Sequence, residues 1–348
     1  MPKLATQRVT IRDLSRTAGL SKATVSRALN PHTRHRVAER TRRRVDALAQ
    51  QLGYTVNVAA RHLASASCRT IGVVCSHAQG LFASPYHVQI LSGVSDALVD
   101  TPYLFKLILL RCGSPRWDRY DFRAGEAVDG LIVTHWRSFF SSPKVLGRLG
   151  VPCVVVSDPE PGLQAYCVSG DHLLGGELAA RHLYAKGHRR IAVLTGPADS
   201  YDSRLRVHGF RRFLRRQDAG VHVMPLSGEF QREQARMVAM NFLRKRPDAV
   251  TAAFCCNDAM ALGVLDALRQ LGLSCPRDVS IVGYDDDPAA ATSQPSLTTI
   301  RVPLYEVARD GTERLVRYLD QRQPKDFAGG QTLLPVMLLE RSSVRQVK

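Results

Sequence analysis

No run of about 18 uncharged apolar residues occurs in this chain of 348 residues, so no segment is expected to span a membrane. The opening residues, MPKLATQRVTIRDL, lack the apolar core of a signal peptide, and a cytoplasmic location is expected. None of the eight cysteines forms a C-x-x-C pair. Cys75, Cys153 and Cys255 lie inside apolar strand-like runs, which favours reduced core residues over zinc ligands or disulfides. The chain has no G-x-G-x-x-G, no Walker loop, no H-E-x-x-H and no G-x-S-x-G. No cofactor, metal or catalytic activity is therefore expected. Asp285, Asp286 and Asp287 stand in a row, but adjacent carboxylates in one turn cannot easily face one ion.

Acidic residues are also scarce, at 31 against 48 Lys and Arg, for a net charge of +17. The imbalance is concentrated at one end. Residues 1–69 hold fourteen Lys and Arg against Asp13, Glu39 and Asp46, which is +11 of the total. Contact with a polyanion explains such asymmetry, because cations that neutralise phosphates release condensed counterions.

Within that basic end, TIRDLSRTAGLSKATVSRALN spans residues 10–30. Thr10 and Asp13 have the spacing of a capping box. Ile11, Leu14 and Ala18 recur on one helical face, Gly19 supplies a helix stop, and Ser21 a second N-cap. Val25, Ala28 and Leu29 face the first helix and leave Lys22, Ala23, Ser26, Arg27 and Asn30 on an exposed arc. This is the pattern of a helix-turn-helix whose second helix enters a DNA major groove. A helical hairpin with a solvated face is the plainer reading, and the local charge argues against it. A third helix is expected over Ala38–Leu52, and a short, weakly helical stretch over Asn57–Ala66.

From Thr70 onward, apolar runs of strand length alternate with helical segments. Strands are expected at Thr70–Cys75, Tyr103–Leu110, Gly130–Val133, Pro152–Val156, Arg190–Thr195, Val250–Cys255 and Val279–Tyr284. Helices are expected at Tyr86–Val99, Leu173–Lys186, Arg204–Arg215, Arg232–Arg244 and Ala259–Leu271. The alternation implies an α/β fold with parallel sheets covered on both faces. The number of strands implies two lobes with a cleft, and ligands in such sheets bind beyond the carboxyl ends of the strands.

Ordered along the chain are VTIRDLSRTAGLSKATVSRALN (9–30), TRRRVDALAQQLGY (41–54), NVAARHL (57–63), GHRRIAVLTGP (187–197), RLRVHGF (204–210), CNDAMALGVLDALRQLG (256–272), VSIVGYDDDP (279–288) and PSLTTIRVP (295–303). In these motifs the chain resembles the lactose repressor (LacI/GalR) family of bacterial transcription factors, from about Val9 to Val344. The resemblance implies a helix-turn-helix head (1–56), a hinge helix and linker (57–69) and a core like the periplasmic sugar-binding proteins (70–343). Lobe one is expected at about 70–170 and 298–325, lobe two at about 171–297 and 326–343. It further implies a homodimer on a near-palindromic double-stranded operator, with a small sugar-like effector in the cleft controlling affinity, and most simply a repressor of carbohydrate utilisation. No leucine heptad follows residue 343, so a dimer is expected rather than a tetramer.

By position, the resemblance puts Lys22, Ala23 and Arg27 against bases. Lys and Arg suit guanine O6 and N7, and Ala suits a thymine methyl. Ser21, Thr24, Ser26 and Asn30 are expected at phosphates or caps. Leu63 matches a minor-groove wedge, with Asn57 and Arg61 on the same hinge helix. Arg206, Asn257 and Asp285 match effector-binding positions, and their donors and acceptors suit a polyol. Capping of the Asp-rich turn is the alternative for Asp285. Tyr86 and His87 match cleft-lining positions, Trp136 offers a flat face for a ring, and Asp171 is a candidate with an equally good structural reading. Departures from the family are Ala38 in place of the usual Ser cap, Val56 in place of the usual Pro, the basic loop at 31–36, and Pro102-Tyr103 in place of Gly-Tyr. A ligand-independent DNA-binding regulator, or an architectural protein, with a degenerate pocket is the alternative function.

Overall fold

The computed structural model describes residues 9–30, 33–55, 67–76, 81–217, 220–321, 327 and 329–347. It divides into two compact units, residues 1–68 and 69–348. Among the described residues no helix is long and apolar enough to cross a membrane.

The first unit holds α1 (Ile11–Ala18), α2 (Lys22–Leu29) and α3 (Glu39–Gln51). The Thr10 hydroxyl accepts the Asp13 N–H while the Asp13 carboxylate accepts the Thr10 N–H, completing the capping box. Gly19 closes α1 at φ 62°, a conformation that suits a residue without Cβ. Ser21 caps α2 through the Thr24 N–H at 3.1 Å. Ala38 begins α3 without a side-chain cap. Leu14, Ala18, Val25, Ala28 and Val45 form the buried centre of the three helices. The stretch expected as a hinge helix, with Asn57, Arg61 and Leu63, lies outside the described residues.

The second unit is built on two six-stranded sheets. The first contains β1 (Thr70–Ser76), β2 (Leu104–Leu110), β3 (Gly130–Thr134), β4 (Cys153–Val156), β5 (Tyr166–Gly170) and, far along the chain, β11 (Gln331–Leu334). Their order is β11-β5-β4-β3-β1-β2, with every pairing parallel. The second contains β6 (Arg190–Thr195), β7 (His222–Ser227), β8 (Ala252–Cys255), β9 (Ser280–Asp285), β10 (Thr298–Arg301) and β12 (Met337–Leu339). Its order is β12-β10-β9-β8-β6-β7, and only β12 runs antiparallel to its neighbour. Helices α4 (Pro85–Leu98), α5 (Phe122–Glu126) and α11 (Leu304–Gln321) belong with the first sheet. Helices α6 (His172–Ala185), α7 (Tyr201–Arg215), α8 (Arg232–Lys245), α9 (Asp258–Gln270) and α10 (Pro288–Thr292) belong with the second.

Every expected strand and helix of this unit overlaps an observed one, and others went unread. Strand β7 contains Pro225, which only an edge position tolerates, and β7 is an edge. Strands β10, β11 and β12 are three or four residues long. Helix α11 carries a plain apolar stripe, Leu304, Val307, Ala308, Gly311 and Leu315, all buried. The exchange points between lobes also differ from expectation. Thr298–Arg301 pairs with β9 in the second sheet rather than the first, and Gln331–Leu334 pairs with β5 in the first rather than the second. The chain leaves the first sheet after β5 and returns to it for β11, which pairs parallel with β5.

Glycines bring α6 and α7 into backbone contact. A Cβ on Gly176 would lie 2.0 Å from the Arg206 carbonyl oxygen, and one on Gly209 would lie 2.0 Å from that of Leu173. This contact sets the position of Arg206 on α7. Gly209→Ala is expected to destabilise the protein by about 1–3 kcal/mol or more through overpacking, read as a lower urea midpoint. An unchanged midpoint would mean that the two helices separate freely.

Candidate functional site

On α2 the buried Val25 and Ala28 face the other helices, and Lys22, Ala23, Ser26 and Arg27 are exposed together. Ser21 and Thr24 are committed to the cap, with their hydroxyls 2.9 Å apart. Asn30 ends the helix, its N–H donating to the Ser26 carbonyl. Arg34 pairs with Asp46 at 2.9 Å, and Arg43 pairs with Glu39. Lys22, Arg27, Arg40 and Arg44 hold no ion pair among the described residues and present unneutralised charge.

The second site is a cavity of about 290 Å³ between the lobes, where Tyr86, His87, Arg206, Asn257 and Asp285 come together. Arg206 is its centre. Its guanidinium is buried, stacks 3.9 Å from the Tyr284 ring centroid, and lies 3.2 Å from Asp285 and 4.0 Å from Asp202. Nη1 donates to the Cys256 carbonyl, and Nε to His172 Nδ1 at 3.4 Å. Burial opposes the charge, but Asp285, Tyr284 and Asp202 outweigh it, so the pKa rises above that of an ordinary arginine.

The three consecutive aspartates diverge. The chain takes positive φ at Asp285 and Asp286, which turns successive side chains apart. Asp285 meets Arg206. Asp286 meets Arg301 at 2.7 Å and Arg341 at 2.6 Å. Asp287 caps α10 through the Ala289 N–H. The cap in this turn is thus Asp287. Burial raises the Asp285 carboxyl to about 6, with Arg206 pulling against it. Asn257 caps α9 through the Met260 N–H at 2.9 Å and donates to the Phe230 carbonyl at 3.1 Å, which holds Phe230 against the cavity.

Opposite lies a wall of rings from the first lobe. Tyr86 and His135 have centroids 4.9 Å apart, and His87 and His135 5.9 Å apart. Burial lowers His87 to about 4 and also lowers His135, so both are neutral at physiological pH. The Tyr86 hydroxyl and both His87 ring nitrogens are buried without a hydrogen-bond partner. Buried polar groups are ordinarily paired, and both residues belong to the lining of the cavity.

Two candidates stand elsewhere. Trp136 is buried in the first lobe's core, its Nε1 donating to the Asp158 carbonyl, and it does not line the cavity. His135 takes φ 47°, which reverses the chain at that point, so His135 faces the cleft and Trp136 turns inward. Asp171 caps α6 through the Leu174 N–H at 2.9 Å and lies outside this cavity. Sequence reasoning missed His135, Phe230, Asp158 and Asp202. For Asp202 a signal existed, since it stands four residues before Arg206 on one helix face.

Asp158 and Asp202 join the lobes. The Asp158 N–H, just beyond β4, donates to the Asp202 carboxylate on α7 at 3.0 Å. Burial and then the Asp202 charge raise the Asp158 carboxyl to about 7. For Asp202 burial works the other way, but His172 and Arg206 prevail and hold its carboxyl at about 2. Among the described residues no group of three or more His, Cys, Asp or Glu side chains is placed to hold a metal.

Residues 10–57 match the family described as bacterial regulatory proteins, lacI family, and residues 180–344 match a periplasmic binding protein-like domain. The chain is similar to the HTH-type transcriptional regulator CelR of Thermobifida fusca, with 32% identity over 339 residues and 96% of each chain covered. Its fold is similar to a transcriptional regulator CelR–cellobiose complex, at TM-score 0.70 and 30% identity, covering 97% of this chain and 100% of that one. It is also similar to a lac repressor dimer bound to operator and the anti-inducer ONPF, at TM-score 0.79 and 26% identity with the same coverage.

The Asp158 carboxyl makes a pH prediction. Its folded pKa is raised above the unfolded value, so the folded state holds the extra proton, and stability from this group falls as pH rises from about 4 to 7. Asp158→Asn is expected to gain stability relative to the parent across that window, by at most about 1.4 kcal/mol per pH unit, in urea titrations at either end. A difference independent of pH would show that Asp158 is ionised throughout.

Proposed function

Because the chain belongs to the lacI family of bacterial regulatory proteins, we propose that it is a sequence-specific transcriptional repressor, not an enzyme, whose operator affinity is set by a small sugar-like effector in the interlobe cleft. The observation that carries this reading is the cavity, where a paired Arg206 and Asp285 share the lining with Tyr86, His87 and Asn257. A polyol presents several hydroxyls that both donate and accept, which suits that set. A similar structure holds cellobiose, which supports a carbohydrate. Exposed Lys22, Ala23 and Arg27 supply base contacts in the major groove, and Arg40 and Arg44 supply unneutralised charge for phosphates. Asn57, Arg61 and Leu63 complete the reading as a hinge that engages the minor groove.

The protein acts as a homodimer on a near-palindromic operator. The first lobe leaves Leu104 (72%), Phe105 (41%) and Leu109 (46%) of edge strand β2 exposed, together with Val99 (71%) just after α4. Monomeric proteins seldom expose so many large apolar side chains on neighbouring elements. We assign this face to the second copy. One observation favours the alternative of a ligand-independent regulator, namely that Arg206 and Asp285 satisfy each other with nothing bound.

Sequencing genomic fragments captured by the effector-free protein at about 150 mM salt, where non-specific phosphate binding is suppressed, is expected to return a short inverted repeat. Scattered fragments alone would count against a sequence-specific head. Arg27→Ala is expected to cost about 1–3 kcal/mol and to relax one position of each half-site. Arg44→Ala weakens all sequences alike. Light scattering is expected to give the mass of two chains, and of one chain for the Leu104→Glu, Phe105→Glu double variant. A mass of four chains in the parent would refute the dimer.

A further inference from the structure

The charge around the cleft limits what it admits. Among the described residues four carboxyl groups line it, Asp158, Asp199, Asp202 and Asp285, against two guanidinium groups, Arg137 and Arg206. Neither cation has charge to offer. Arg206 faces Asp285 and Asp202 and donates to the Cys256 carbonyl and His172. Arg137 pairs with Glu160 and lies over the Trp136 ring. The histidines of the wall, His87 and His135, have lost their charge to burial. Among the described residues no lysine lines the cavity.

A phosphate or carboxylate closed between the lobes would have to shed its water with no unpaired cation to receive it. It would sit among the carboxylates of Asp199, Asp202 and Asp285, in a low-dielectric space that strengthens the repulsion. The cavity is instead rich in acceptors, since ionised carboxylates such as Asp202 accept only, and it carries flat ring faces in Tyr86, His135 and Phe230. A ring whose edge bears hydroxyl donors and whose face is apolar matches both features.

We propose that the cleft takes an uncharged polyhydroxy ring compound and excludes its phosphorylated and carboxylate derivatives, so that this regulator reads a free sugar before a phosphorylating reaction consumes it. The inference rests on the reading of the cleft as the effector site. Asp199, which lies on the cavity rim unpaired among the described residues, and Asp202 enforce the exclusion. A phosphate ester is expected to bind at least about 100-fold more weakly than its parent sugar, as like-charge juxtaposition in a closed site requires.

The test needs no prior identification of the sugar. A small-molecule extract of the source bacterium is passed over a strong anion exchanger. Flow-through and salt-eluted fractions, both desalted, are then assayed for release of the full-length protein from its captured DNA and for a rise in Tm. The active compound is expected in the flow-through. Its effect is expected to vanish in Arg206→Ala and to weaken about 10-fold in Tyr86→Phe, which removes a single hydroxyl from the lining. Activity confined to the anionic fraction would overturn the exclusion while leaving the effector reading in place. Activity in neither fraction nor in the whole extract would overturn the effector reading itself, and this inference with it.

Discussion

A buried guanidinium governs the cleft. Arg206 is 5% exposed, and a cation at that depth persists only where fixed partners replace its water. Those partners come from several elements: Asp285 at the end of β9, the Cys256 carbonyl just after β8, His172 at the start of α6, Tyr284 beneath the plane, and Asp202 one turn earlier on α7. Removing any of them would leave part of the charge uncompensated. The arrangement therefore fixes the end of the second sheet, where open α/β sheets bind ligands.

From that centre the constraint spreads to packing. Arg206 can meet His172 only because α6 and α7 approach to backbone contact at Gly176 and Gly209. It spreads also to the other lobe, because Asp202, drawn toward Arg206 and His172, accepts the N–H of Asp158 beyond β4. One network thus joins helix packing within the second lobe to the contact between lobes. A ligand that entered the cavity would compete for parts of this network, and differential contact of that kind is what allows a ligand to shift a conformational equilibrium.

Local features of the head were legible to within a residue or two. Caps, a left-handed glycine and 3.6-residue periodicity act within a few positions of one another, so Thr10, Asp13, Gly19 and Ser21 stand where their chemistry suggested. The alternation of β and α was legible for the same reason. Short strands such as Met337–Leu339 were not, because three residues carry no periodicity and are strands only by virtue of the neighbour they pair with. Helix α11 had an adequate stripe and went unread.

The sequence by itself determined the helix-turn-helix, the two-lobed parallel architecture and, through resemblance, that Arg206, Asn257 and Asp285 belong to one site. Tertiary structure decided the rest of that site. Whether His135 or Trp136 faces the cleft turns on a single positive φ. Which of three adjacent aspartates meets Arg206 depends on the turn that splays them apart. The pairing of Asp158 with Asp202 spans 44 residues and two lobes. Caps and periodicity report contacts between chain neighbours. The cleft is assembled from residues brought together by crossings of the chain between two sheets, and no local pattern encodes such a meeting.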